Sequence, residues 1–128
     1  RPPLVPLIQQ NVAQNNLQNK CRVEAFTWGD DANVLLRDEP PFDVVLLSDV
    51  VALAYHQDYE KLFASVRALT DEKTRIIIAI ELRTIEDAAF VVALPSYGFT
   101  VERLPDDVLD ADWVCEEIRV FMVQKLPR

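Results

Sequence analysis

Three short runs in this chain carry the side chains best able to do chemistry together: Thr27-Trp28-Gly29-Asp30, Ser48-Asp49 and Glu81-Leu82-Arg83. The indole of Trp28 offers a flat apolar wall to a purine, or a ring face that attracts a cation such as a sulfonium, worth about 0.5–2 kcal/mol. Its plain alternative is core filling. Asp49 closes the apolar run that begins at Val44, where a carboxylate is costly unless it is paired or used. The alternative for Asp49 is to cap the segment that follows. Glu81 and Arg83 lie two apart and share a face of an extended chain, placed to pair with each other or to meet a cationic substrate. The mutual ion pair is the simpler reading. His56, the only histidine, makes a poor case for a nucleophilic triad and reads as a helix start.

The elements that must position these runs follow from hydrophobic period. Leu4, Leu7, Ile8 and Val12 predict a helix from Pro3 to Asn16. Cys21 to Trp28, with Val23, Ala25 and Thr27 alternating before the turn signal Gly29-Asp30, predicts a strand. Phe42 to Leu47 lacks polar alternation, as expected of a central strand with helices on both faces. Tyr59, Leu62, Phe63, Val66 and Leu69 predict an amphipathic helix from about His56 to Thr70. Arg75 to Leu82 is a second buried strand. Thr84 is placed to cap the next helix, whose expected buried stripe is Ile85, Ala88, Ala89 and Val92, and which Pro95 and Gly98 end. Phe99 to Leu104 and Glu117 to Lys125 are strand-like and have no helix between them, so they are expected to pair antiparallel.

The result is an α/β chain, residues 1–128 forming a single domain, with a mainly parallel sheet and an antiparallel C-terminal strand pair. Open sheets of this kind bind ligands beyond the carboxyl ends of their strands. All three chemically able runs sit at such ends.

Composition narrows the partners. A net charge of -8 repels phosphate backbones and favours cationic partners, so nucleic acid is disfavoured. No apolar run approaches the length of a membrane span, and no basic-then-apolar leader opens the chain. Cys21 and Cys115 have no metal-ligand spacing and are expected to be reduced thiols in a cytoplasmic or nuclear protein. The chain begins at Arg1 and its one methionine is Met122, which points to a fragment or a processed product.

Asn11-Val12 with Asn15, then Trp28-Gly29, then the run from Phe42 through Ser48-Asp49-Val50-Val51, resemble the seven-strand S-adenosylmethionine-dependent methyltransferases of the family-16 group. That group includes lysine methyltransferases acting on chaperones, elongation factors and the valosin-containing ATPase. Glu81-Leu82-Arg83, Tyr97-Gly98-Phe99 and Ile118-Arg119-Val120-Phe121 are similar to the group's closing half, so the resemblance covers nearly the whole chain in order. It implies a Rossmann-like class I methyltransferase sheet that lacks its first two strands and the N-terminal cofactor loop. It further implies that Trp28, with Gly29, lines the adenosine pocket, that Ser48 touches S-adenosyl-L-methionine, and that Asp49 borders the acceptor lysine as the catalytic residue. Tyr55, Glu81 and Arg83 fall on the substrate side.

Two departures stand out. The group places an aromatic three residues after the acid, where this chain has Ala52 and then Tyr55. Its glycine-rich loop would lie before Arg1, and Gly29 and Gly98 are the only glycines here. Without the first two strands, the sheet is expected to show a gap between residues 22–27 and 42–47, leaving Val44 to Leu47 as an unpaired edge.

The expected function is methyl transfer to a protein side chain, lysine ahead of histidine. The partner would be a protein with a basic or lysine-bearing segment, with no nucleic acid and no membrane, and the complete protein a monomer. The alternative is a non-catalytic methyltransferase-like binding module that has lost its cofactor loop. Half of a nicotinamide dehydrogenase would share the sheet but not the Trp-Gly and Ser-Asp pairing.

Overall fold

The first helix ends as its asparagines suggest. In the computed structural model, which describes residues 4–50, 59–83 and 85–127 (backbone alone for 85–87), helix α1 spans Val5–Gln14, with Pro6 in the first turn, where a missing amide donor costs nothing. At the other end Asn16 adopts a left-handed φ of 55°. The Leu17 amide then donates to Val12 O at 2.9 Å and the Asn16 amide to Ala13 O at 3.0 Å, a Schellman closure that asparagine tolerates. Leu4, Leu7 and Ile8 of its apolar stripe remain about half exposed. The single turn α2, Asn33–Leu36, follows.

The remaining α-helices and strands are β1 (Val44–Ser48), α3 (Tyr59–Leu69), β2 (Arg75–Glu81), α4 (Ile85–Ala93), β3 (Phe99–Arg103) and β4 (Ile118–Lys125). The four strands form one sheet in the order β1-β2-β4-β3. β1 and β2 are parallel, and β4 runs antiparallel to both β2 and β3. The sheet is therefore mixed rather than mainly parallel, because only one parallel pair exists among the described residues.

The strand expected over residues 21–28 does not form. A strand exists by its ladder, and no strand lies alongside this segment among the described residues; its chain closes instead in a turn on α3. With no strand at 22–27 there is no second segment for a gap to separate, while the unpaired edge expected at Val44 to Leu47 is present among the described residues. The four strands are continuous, and β1 stands at one edge with β2 as its one neighbour.

One face of the sheet carries the core. Ile76, Ile78 and Ile80 of β2 are buried, and the register sets Leu47 beside Ile78 and Val123 beside Ile76 on the same face. Leu62, Phe63 and Val66 of α3, with Phe90, Leu94 and Phe99, close over them. Burying each such side chain contributes about 1.5–3 kcal/mol. On the opposite face Leu46 is 71 % exposed, so the apolar run of β1 is not covered on both sides as its lack of polar alternation suggested.

The buried side of α4 also differs from expectation. Phe90 is buried and Val92 is 77 % exposed. The large ring of Phe90 stacks on Phe63 with centroids 5.1 Å apart, and this aromatic contact sets the rotation of the helix in preference to the smaller Ala88, Ala89 and Val92. Ile85 and Thr84 lie outside the described side chains.

Buried polar groups pin the strands in register. Thr74 Oγ1 donates to Phe42 O at 2.7 Å, while Asp71 accepts from the amides of Lys73 and Thr74 at 2.8 and 3.0 Å. Lys125 Nζ donates to the carbonyls of Arg67 and Thr70 at 2.9 and 2.7 Å. A cation at a helix C-terminus satisfies carbonyls that have no amide partner, so this contact ties β4 to the end of α3.

A candidate functional site at the carboxyl rim of the sheet

Because β1 and β2 are parallel and pair Ser48 with Ala79, they finish on one rim, and β4 begins there with Ile118 opposite Glu81. The Asp49 amide adds a further ladder bond to Ala79 O at 2.9 Å. The chain then turns, with Asp49 at φ 49°, a left-handed conformation in which aspartate is enriched among non-glycine residues.

This turn presents the Asp49 carboxylate to Arg83. Nη1 donates to Oδ1 at 3.1 Å and Nη2 to Oδ2 at 2.8 Å, a two-pronged contact that matches the guanidinium fork to the carboxylate. Arg83 also pairs with Glu81 Oε2. The Arg83 hydrogen bonds, with the Arg83 charge and the Glu81 backbone assisting, hold the Asp49 carboxyl below its usual range against a partial desolvation that pushes the other way. Arg83 is pushed up in turn, chiefly by the same bonds. The three side chains, two acids and one base, keep one net negative charge. Each is about two-fifths exposed, so the pairs act mainly by orientation, exposed ion pairs being worth about 0–1 kcal/mol.

Ser48, Asp49, Ala79, Ile80, Glu81 and Ile118 line an open cleft of about 160 Å³ at this rim. This is smaller than the roughly 300 Å³ at which pockets for drug-sized ligands start. Ala79 and Ile118 give it apolar wall beside the charged Asp49 and Glu81.

The structure brings Ser48, Asp49, Glu81 and Arg83 to one rim, and Trp28 sits in a turn against α3. Thr27 to Asp30 forms a turn closed by the Asp30 amide on Thr27 O at 3.0 Å, with Gly29 at φ 94°. The Gly29 amide donates to Ser65 Oγ of α3 at 2.8 Å. Trp28 is half-buried against the core and meets Phe26 edge-on. α3 packs on the face carrying Leu47, and the next residue, Ser48, points to the other face. Of the indole, hydroxyl and carboxylate expected to share a cleft, Ser48 and Asp49 line this one and Trp28 is not among its lining residues. Tyr55 and His56 lie outside the described residues.

Sequence reading missed Ala79, Ile80 and Ile118, which enter the cleft only through strand register, and missed that Arg83 takes Asp49 as well as Glu81. Among the described residues no cluster of three or more histidine, cysteine, aspartate or glutamate side chains could hold a metal. No helix among them is long and apolar enough to cross a membrane.

The profile of a family described as lysine methyltransferase matches residues 1–96. No curated protein matches the sequence. Among solved structures, the mitomycin 7-O-methyltransferase MmcR is similar with a TM-score of 0.66 at 12% identity, covering 98% of this chain and 40% of its own. A putative rRNA-methylase from Clostridium thermocellum reaches 0.62 at 11% identity, over 97% of this chain and 68% of its own. An O-methyltransferase from a trans-AT PKS multienzyme of Brevibacillus brevis, solved in complex with S-adenosyl-L-homocysteine, reaches 0.59 at 13% identity, over 99% and 57%. At such identities the likeness is one of fold. The chain spans two-fifths of the first of these proteins.

Proposed function

The chain belongs to the lysine methyltransferase family, and from that premise we propose that its carboxyl rim is the acceptor side of an S-adenosylmethionine-dependent transfer of methyl groups to a protein side chain, with lysine as the acceptor. The observation that carries this reading is the gathering of Ser48, Asp49, Glu81 and Arg83 beside a cleft of side-chain size, at the strand ends where α/β sheets bind ligands. In this reading residues 1–128 are part of a methyltransferase domain.

The chemistry asks for a neutral amine, whereas a lysine ammonium has a pKa near 10.4. Asp49, held ionised and below its usual range, is a weak proton acceptor and a good anchor. Its role is to bind and orient the lysine nitrogen, with the proton leaving to water. Arg83 limits how strongly the two carboxylates favour the charged ammonium, because a nearby cation lowers an amine's pKa. One net negative charge thus attracts the acceptor without locking it in its protonated form.

The cofactor supplies an electrophilic methyl group. The described residues do not fit the whole of it: the cleft is small, Trp28 faces the core, and neither glycine forms a phosphate- or nucleoside-type cradle, Gly29 being tied to Ser65 and Gly98 packed against Arg67. Ser48 offers one hydroxyl contact, and the remaining contacts belong to residues outside this cleft.

The position of Trp28 favours a second reading, a methyltransferase-like module that recognises a partner without catalysis. Calorimetry with S-adenosylmethionine and a radiolabelled methyl-transfer assay on lysine-bearing protein separate the two. The enzyme reading expects a binding heat, and Asp49→Ala should abolish transfer while sparing cofactor affinity. Turnover unchanged in that variant would remove Asp49 from the mechanism, and neither heat nor transfer would favour the module.

A further inference from the structure

We propose that residues 104–117, the connection from β3 to β4, form a docking surface for a basic, apolar-bearing extended segment of a partner protein that presents the acceptor side chain to the cleft. The proposal rests on the methyl-transfer reading of the rim and adds the chemistry of the substrate around its lysine.

Topology places this connection at the cleft. β3 ends with Arg103 opposite Phe121, and β4 starts with Ile118 opposite Glu81. The connection therefore leaves and returns at the rim that carries Asp49. Its last residue is stitched to β2's end, the Leu82 amide donating to Glu117 O at 2.8 Å. Ile118, the next residue, lines the cleft itself.

The connection is ordered and apolar at its surface. Two short 3-10 turns, Asp106–Val108 and Ala111–Trp113, shape it, the second capped by Asp110 accepting from the Asp112 amide at 3.0 Å. Trp113 is 82 % exposed and Val108 62 %, with Val114 and Ile118 each about two-fifths exposed. A single exposed apolar residue means nothing, since folded surfaces are full of them. Three lie along one connection with Ile118 directly after them, and tryptophan is among the residue types that dominate binding energy when covered by a partner.

Charge selects the occupant. Asp106, Asp107, Asp110, Asp112, Glu116 and Glu117 lie in this stretch with no lysine or arginine between them. Arg103 pairs with Asp106 at 3.0 Å, whereas Arg119 donates to the carbonyls of Cys115 and Ile118 at 3.3 and 3.2 Å. The Cys115 thiol donates to Glu117, which is thereby held ionised below its usual range. A partner covering Trp113 must therefore bring positive charge together with apolar side chains. A phosphate backbone meets the wrong sign of field.

The test is fluorescence anisotropy with a labelled twelve-residue peptide of alternating lysine and leucine, beside peptides in which glutamate replaces lysine or serine replaces leucine. The lysine-leucine probe is expected to bind the wild-type chain, more weakly as salt rises, and to lose affinity about tenfold on Trp113→Ala. Trp113→Phe should retain most of it. Because Trp113 is exposed, the variant keeps its fold, which circular dichroism verifies. No binding of the probe, equal binding by wild type and Trp113→Ala, or equal binding of the lysine-serine peptide each overturns the proposal. The assay contains no cofactor, so docking through Trp113 by a protein that never transfers methyl groups would sink the enzyme reading alone. Conversely, methyl transfer to the probe that is indifferent to Trp113 would sink the docking surface alone.

Discussion

Arg83 grips both oxygens of Asp49, at 3.1 and 2.8 Å, across 34 positions of sequence. Neither residue is buried, so the contact is valuable for where it points the carboxylate rather than for stability. Asp49 is fixed at the lip of the cleft by its left-handed backbone on one side and by a planar guanidinium on the other.

Arg83→Gln removes the fork and its charge. The Asp49 pKa should then move up toward its ordinary value, followed by carbon-13 NMR of the carboxyl through an acid titration. If the pair positions the acceptor, kcat should fall by more than KM rises. Arg83→Lys should restore little, because an ammonium cannot make two parallel bonds to one carboxylate. An unmoved Asp49 titration would show that the pairing is absent in solution.

Acid should weaken the fold in a defined window. Asp49, Asp71 and Glu117 are all held below their usual values, Asp49 mainly by Arg83, Asp71 mainly by the Lys73 amide and Glu117 mainly by Cys115. For a group whose folded pKa is depressed, the stabilising contribution is present above the unfolded value and is lost as pH falls through the folded one. The urea midpoint should be flat from neutrality to about pH 5 and decline below about pH 4. Asp71→Asn should lower the neutral midpoint and flatten the decline; a parallel curve for the variant would contradict the assignment.

Leu46 sits on the edge strand with its side chain largely in water. Leu46→Lys should change stability by no more than about 0.5 kcal/mol, while light scattering should record slower aggregation, since a charged edge resists pairing with another chain. Aggregation at the wild-type rate would locate the sticky surface elsewhere.

Local pattern already contained most of the elements. The period of Leu62, Phe63, Val66 and Leu69 defines α3 because those spacings bury one stripe, and the isoleucine run of β2 reads as a strand in which every second residue is buried. The Glu81–Arg83 ion pair was readable from its spacing, and Asp49 stood out because charge at the end of an apolar run demands a reason. The strand expected at 21–28 failed because alternation offers a ladder but does not supply the neighbour.

By itself, then, the sequence decided most of the helices and strands, though not residues 21–28, that acids and a base stand at strand ends, and which family the residues resemble; each depends on neighbours within a few positions. Only the tertiary structure decided that β4 inserts between β2 and β3, that Ile118 joins Asp49 in a cleft, that Arg83 takes Asp49, and that Trp28 turns to the core. Those outcomes hang on contacts between residues tens of positions apart. They are chosen by how whole faces pack, and no window of sequence contains that choice.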